Sequence, residues 1–318
     1  MVEIGYTLSS EEFRPNELVQ LARRAEEVGF SYAGISDHYH PWLDNQGHAP
    51  FVWATLGGIA QVTRRLRLVT GVTCPTVRIH PAVIAQAAAT VADMLPGRFV
   101  FGVGSGENLN EHITGARWPP VSVRQEMLDE AIAVIRQLWQ GGYQTHHGRH
   151  YTVENARIYT LPDELPSIYV GASGPEAAEL AGQIGDGLIC TSPDEDVVEA
   201  FTEAGGSGKP MYGQMTVCWA ADEAQAKQTA YDAWGYTALP GQMTQELALP
   251  MFFEQGMKIV TPDMVAESIV CGPDPARYHE QIKSYVDAGF THVYLHQVGD
   301  DQESFFRFAE REILPTYQ

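Results

Sequence analysis

The feature that most constrains this chain is a recurring unit: a helix-like segment ending in Gly, then an apolar strand, then a polar residue at the strand's end. It reads LARRAEEVGFSYAGISD at 21–37, AAELAGQIGDGLICTS at 177–192 and QIKSYVDAGFTHVYLHQ at 281–297. Gly29, Gly185 and Gly289 fit the left-handed position that closes a helix. The runs after them are apolar throughout, as strands covered on both faces are. RLRLVTGVT, GRFVFGVGSG and PSIYVGASG have the same strand half followed by Gly or Ser. Eight strands are predicted in all, at 3–8, 32–37, 67–73, 99–104, 167–172, 187–191, 211–218 and 292–297. Strands alternating with helices imply a parallel sheet. Eight of them favour an α/β fold closed as a (β/α)8 TIM barrel over an open doubly wound sheet.

No linker or compositional break divides the chain, so 1–318 reads as a single barrel domain with two insertions. One, at about 140–166, is hairpin-like; the other, at about 236–262, is a loop with a helix between the seventh and eighth strands. Long insertions in barrels often cover the active-site face. The charge of −20, from 40 acidic and 20 basic residues, argues against nucleic acid or an anionic membrane as partner. No apolar run is long enough to span a bilayer, and MVEIGYTL does not read as a signal peptide. Cys74, Cys190, Cys218 and Cys271 form no CxxC pair. They read as buried free thiols and fit a reducing, cytoplasmic setting.

Barrel chemistry sits at the C-terminal ends of strands. Ser9, Ser10, Glu11 and Glu12 follow strand one, and ISDHYHPW follows strand two. GVGSGENLNE closes strand four, and His296 and Gln297 close strand eight. His38 is the best general base, because imidazole titrates near neutral pH. A His that only hydrogen-bonds within its loop is the bland reading, and its polar neighbours favour the functional one. His40 makes an HxH pair, a weak metal signal without further spaced ligands, and no metal is expected. Trp42 is either packing or the wall of a flat ring. Glu107, at a Gly-flanked strand end, is either a solvated loop residue or a carboxyl that exchanges a proton with a bound ring. GVGSG is a weak dinucleotide signal, because no acidic residue follows about twenty positions later. VGASGP opens a helix at Pro175 and is either a phosphate cradle or a plain βα turn.

In these residues the chain resembles the coenzyme F420-dependent branch of the luciferase-like superfamily. It is nearest the F420-dependent glucose-6-phosphate dehydrogenase group. The stretches that carry this are GYTLSSEEF, ISDHYHPWLDNQGHAPF, TGVTCPTVRIHPAVIAQAAATVADMLPGRFVFGVGSGENLNE, VGASGPEAAELAGQIGDGLICTS and THVYLHQVGDDQ, nearly the whole chain. The resemblance implies that His38 takes the substrate's hydroxyl proton, Trp42 steadies the reacting centre and Glu107 protonates the deazaflavin. Glu11 would be a second acid of the pocket. Asp37, Gly71, Val72, Cys74, Asn110, Gly171, Ala172, Ser173 and Gly174 match cofactor-contacting positions, with a cis peptide at Gly71–Val72. The family usually has Ser where Gly71 stands.

Departures fall at the substrate. Two Lys and one Arg hold the sugar phosphate in the glucose-6-phosphate enzymes. Asp194 stands at the first Lys position, Glu267 at the Arg position, and the second Lys falls near Met243. Reversing two charges costs on the order of a kcal/mol per surface contact, so an unphosphorylated alcohol or carbonyl substrate is expected. Lys209 and Lys258 are the cations that could compensate. Three rival readings stay open: glucose-6-phosphate oxidation through a rearranged phosphate site, an FMN-dependent luciferase-like monooxygenase, and a non-catalytic cofactor-binding barrel. The resemblance also implies a homodimer.

Overall fold

The eight apolar runs form a closed ring of parallel strands in the computed structural model, which describes residues 2–317. In chain order the barrel strands are β1 (Glu3–Leu8), β2 (Tyr32–Ile35), β3 (Arg67–Thr70), β4 (Phe99–Val103), β5 (Ile168–Gly171), β6 (Gly187–Cys190), β7 (Met211–Cys218) and β8 (His292–Gln297). Each pairs in parallel with the next, and β8 closes the ring on β1 with Gly5 opposite Tyr294. The fold is the expected (β/α)8 barrel. Strands β2 and β3 stop two and three residues short of their predicted ends: Ser36–Asp37 enter the loop above the ring, and Gly71–Val72 interrupt β3 before Thr73 rejoins β4 in a bridge to Val103.

Aromatic side chains fill the barrel interior. Tyr32, Tyr169, Tyr212 and Tyr294 pack with Val69 and Ile189, and glycines on neighbouring strands make the room. A Cβ on Gly5 would lie 2.5 Å from the Tyr32 ring, and one on Gly34 would lie 3.0 Å from that of Tyr294. Outside, the helices bury one face each; Pro15–Val28 buries Leu18, Ala22, Ala25 and Val28 and closes on Gly29 at φ 109°. Gly289 is also left-handed, at φ 101°. Gly185 is not, and here the expectation is corrected: its φ is −87°. Close packing demands glycine there instead, since a Cβ would meet the Ala181 carbonyl oxygen at 2.8 Å.

Both long interruptions carry structure. Gln144–His147 and Thr152–Ala156 pair as an antiparallel hairpin. The second excursion is longer than its predicted core. It runs from the helix Glu223–Trp234 through Met243–Glu246, Pro250–Gly256 and Pro262–Val265 to Val270–Cys271, a two-residue strand that extends the β7 edge. Its Trp234, Tyr236, Leu239, Phe253 and Met257 pack with Leu43, Leu109 and Val298, which come from loops after β2, β4 and β8. The excursion is therefore folded over the C-terminal end of the barrel. No helix among the described residues is long and apolar enough to cross a membrane.

Candidate active site

Three of the predicted residues, Glu11, His38 and Trp42, meet above β1 and β2. Glu11 is buried at 1% exposure, and its Oε1 lies 3.3 Å from Nδ1 of His38. Its other oxygen accepts hydrogen bonds from Ser36 Oγ at 2.7 Å and Ser9 Oγ at 3.1 Å. The His40 carbonyl also lies 3.2 Å from His38 Nδ1. Both neighbours of Nδ1 are acceptors, so Nδ1 carries the proton of the neutral ring and Nε2 is left to accept one. Trp42 packs against the imidazole at 5.0 Å between ring centroids. The resulting unit is an imidazole backed by a buried carboxylate and walled by an indole.

A second set of contacts fixes the loops that carry this unit. Asn110 Oδ1 accepts from the backbone N–H groups of Tyr39 at 2.8 Å and His40 at 3.1 Å, and so ties the β4 loop to the β2 loop. His40 is spent on Leu109, with its Nδ1 2.8 Å from that carbonyl, and it stacks on His112. Asp37 accepts from Thr73 Oγ1 at 2.7 Å and from Arg78 at 3.1 Å. Arg78 also donates its backbone N–H to Glu111 at 2.6 Å, and its side chain is only 6% exposed. Burial works against the Arg78 charge, but Asp37 and Glu111 outweigh it and raise its pKa. Burial likewise raises the Glu111 pKa, with Arg78 opposing and Glu107 and Asp37 adding.

Glu107 begins the short helix Asn108–Glu111 and is half-buried; its nearest side-chain partner is Asn110 Nδ2 at 3.5 Å. Below it the Gly71–Val72 peptide is cis, as the resemblance implied. Both residues are partly exposed, whereas Cys74 is buried with its Sγ 2.9 Å from Thr76 Oγ1. Burial pushes the Cys74 thiol well above its ordinary range. Gly171 ends β5, and Gly174 opens the ten-residue helix Pro175–Ile184, which no side chain caps. A Cβ on Gly174 would meet nothing within 4 Å. Uncapped N–H groups facing open space suit a phosphate. Together with the partly exposed Gly71–Val72 and Glu107, they fit a flat ring bearing a phosphorylated tail.

The predicted substrate positions are not drawn into this cluster. Asp194 is exposed and caps its own helix, accepting from Asp196 N at 3.0 Å and Val197 N at 3.3 Å. Glu267 is exposed, and Met243 is half-buried at the start of Met243–Glu246. Lys209 donates to the carbonyls of Gly182 and Gly185 at 2.7 and 2.9 Å, where it caps a helix end. Lys258 lines a separate cavity of about 290 Å³ with Tyr231, Asp232 and Glu254. A groove of about 670 Å³ runs along the outer flank past Phe13, Leu21, Arg24 and Phe306, and none of the site residues borders it.

Sequence reasoning missed three contributors. Arg78 was legible as the lone charged residue of the loop GVTCPTVRIH at 71–80. Gln46, which bridges Trp42 N at 2.8 Å to the Ala233 carbonyl at 2.9 Å, carried no signal. Tyr236, stacked on Trp42 at 4.7 Å and 16°, looked like any core aromatic.

Comparison with known proteins matches residues 1–292 to the luciferase-like monooxygenase family. An F420-dependent glucose-6-phosphate dehydrogenase of Microbacterium testaceum is 38% identical over 99% of this chain and 97% of its own length. One from Beutenbergia cavernae is 37% identical over the same shares. Among solved structures, an F420-dependent secondary alcohol dehydrogenase in complex with an F420–acetone adduct superposes with a TM-score of 0.93. It is 30% identical and covers 100% of this chain and 99% of its own. The chain thus belongs to the luciferase-like monooxygenase family, in the branch that holds the F420-dependent glucose-6-phosphate dehydrogenases.

Proposed function

We propose that the protein is a coenzyme F420-dependent oxidoreductase acting on a small, unphosphorylated alcohol/carbonyl couple. The observation that carries the reading is the free Nε2 of His38, presented beside Trp42 while buried Glu11 holds the opposite nitrogen. When bound, the deazaflavin supplies the hydride acceptor or donor. Gly71 and Val72 would support its ring, and Gly171, Ala172, Ser173 and Gly174 its phosphate. Asp37 and Asn110 would act by holding the surrounding loops. His38 accepts the substrate's hydroxyl proton at Nε2, and Glu11 stabilises the imidazolium that results. Glu107 exchanges a proton on the side of the β4 loop. Trp42 excludes water and orients the substrate, and such positioning supplies much of the rate.

The substrate class rests on charge. Asp194 and Glu267 are exposed acids, and Lys209 is engaged with backbone carbonyls. The wall of Trp42, Tyr236 and Phe253 is aromatic. Such a surface suits an uncharged alcohol or ketone better than a sugar phosphate. A homodimer in the cytoplasm is part of the same proposal.

F420 reduction with 2-propanol, glucose and glucose 6-phosphate, measured side by side, tests this reading. An uncharged alcohol is expected to give kcat/KM at least about tenfold above the phosphosugar, the size of one lost charge contact. A preference for glucose 6-phosphate would overturn the substrate class, and tight FMN binding with oxygen consumption would overturn the cofactor.

A further inference from the structure

The ring of Tyr236 lies between two tryptophans, Trp42 from the loop after β2 and Trp234 from the helix Glu223–Trp234. On one side it stacks on Trp42, which packs on His38. On the other it meets Trp234 at 5.3 Å, and Trp234 donates its Nε1–H to buried Glu12 at 3.1 Å. Phe253 meets it edge-on at 5.9 Å. The residue as a whole is 3% exposed, and its hydroxyl oxygen, which makes no hydrogen bond to any described residue, keeps some contact with solvent. A hydroxyl at the open edge of a buried, stacked ring has no protein partner to give up, and an incoming ligand can bond it.

We infer that the Tyr236 hydroxyl is a further substrate-binding group, donating a hydrogen bond to an oxygen of the bound alcohol or ketone and making the 236–262 excursion part of the specificity site. This rests on the alcohol/carbonyl reading above. Burial, reinforced by the nearby carboxylates of Glu11, Glu107 and Glu12, keeps the phenol protonated. It therefore serves as a donor and complements Nε2 of His38, which accepts. A site built to hydrogen-bond an oxygen discriminates against molecules that lack it.

The test compares wild type with Tyr236→Phe, which keeps the ring and its stacking. Loss of one neutral hydrogen bond corresponds to roughly a three- to tenfold change. A rise of that size in KM for 2-propanol is expected, with kcat, F420 affinity and Tm unchanged. The same change is expected in the dissociation constant for acetone, read by tryptophan fluorescence without cofactor. Unchanged constants in both assays would overturn the inference. So would losses that track a lower Tm or weaker F420 binding, because these mark a structural role. If neither protein turns over an alcohol, the functional reading fails, while acetone binding still decides the role of Tyr236.

Discussion

Replacing Glu11 by Gln removes one charge from behind His38 and almost no volume. The amide oxygen can still accept from Nδ1, and the serine hydroxyls that now donate to Oε2 can rotate to accept from the amide. What disappears is the attraction between a carboxylate and the imidazolium formed as His38 takes up a proton. Two unit charges about 4 Å apart interact by about 4 kcal/mol at the effective dielectric of protein sites, and the measured separation is 3.3 Å. The imidazolium charge is delocalised and the amide keeps a dipole, so about half of that is expected to be lost. About 2 kcal/mol corresponds to roughly a 30-fold fall in kcat. Stopped-flow or steady-state F420 absorbance with 2-propanol measures it, with F420 affinity as the control. A variant within about threefold of wild type would refute the view that Glu11 stabilises the charged ring.

Further expectations concern the frame around the site and the rest of the barrel. Arg78→Met leaves Asp37 and Glu111 buried without their cation, so denaturant melts are expected to lose about 3–5 kcal/mol; a loss below 1 kcal/mol would count against that pairing. Glu26 accepts backbone N–H bonds from Arg64, Arg65 and Leu66, at 2.9, 2.6 and 2.7 Å. Burial alone would raise its pKa, but these donors lower it below its ordinary value. Glu26→Ala should therefore cost about 1–3 kcal/mol at neutral pH, and the difference from wild type should vanish as pH falls through the carboxylate range. At the opposite end of the barrel, His292 stacks on Tyr212, and burial lowers its pKa to about 4 despite Glu3. Because the unfolded imidazole titrates near 6.5, stability attributable to His292 is present above that pH and lost as pH falls toward 4. Urea melts at pH 7.5 and 4.5 should show a smaller drop for His292→Gln than for wild type.

The barrel was legible because strands buried on both faces leave continuous apolar runs, and helices ending at Gly29 and Gly289 punctuate them. Gly185 belongs to the same pattern for a different reason: tight packing, which sequence cannot separate from backbone conformation. Val270–Cys271 is too short to register as a strand. The polar residues at strand ends pointed to His38, Glu11 and Glu107, since barrel topology gathers such residues at one face. The cis bond at Gly71–Val72 came from resemblance; nothing in the local chemistry of Gly-Val signals it. Gln46 and Tyr236 stayed hidden because their roles depend on partners nearly 200 residues away, at Ala233 and Trp42. Asp37 and Asn110 were singled out as cofactor contacts, and in the structure each holds two loops together.

A crystal structure of the protein with F420 bound tests the central claim most directly. The tricyclic ring should lie at the barrel mouth over Gly71–Val72, with His38 Nε2 within reach of a substrate on its face and the Glu107 carboxyl close to the ring. A ring seated elsewhere, or one from which either residue points away, would contradict the account.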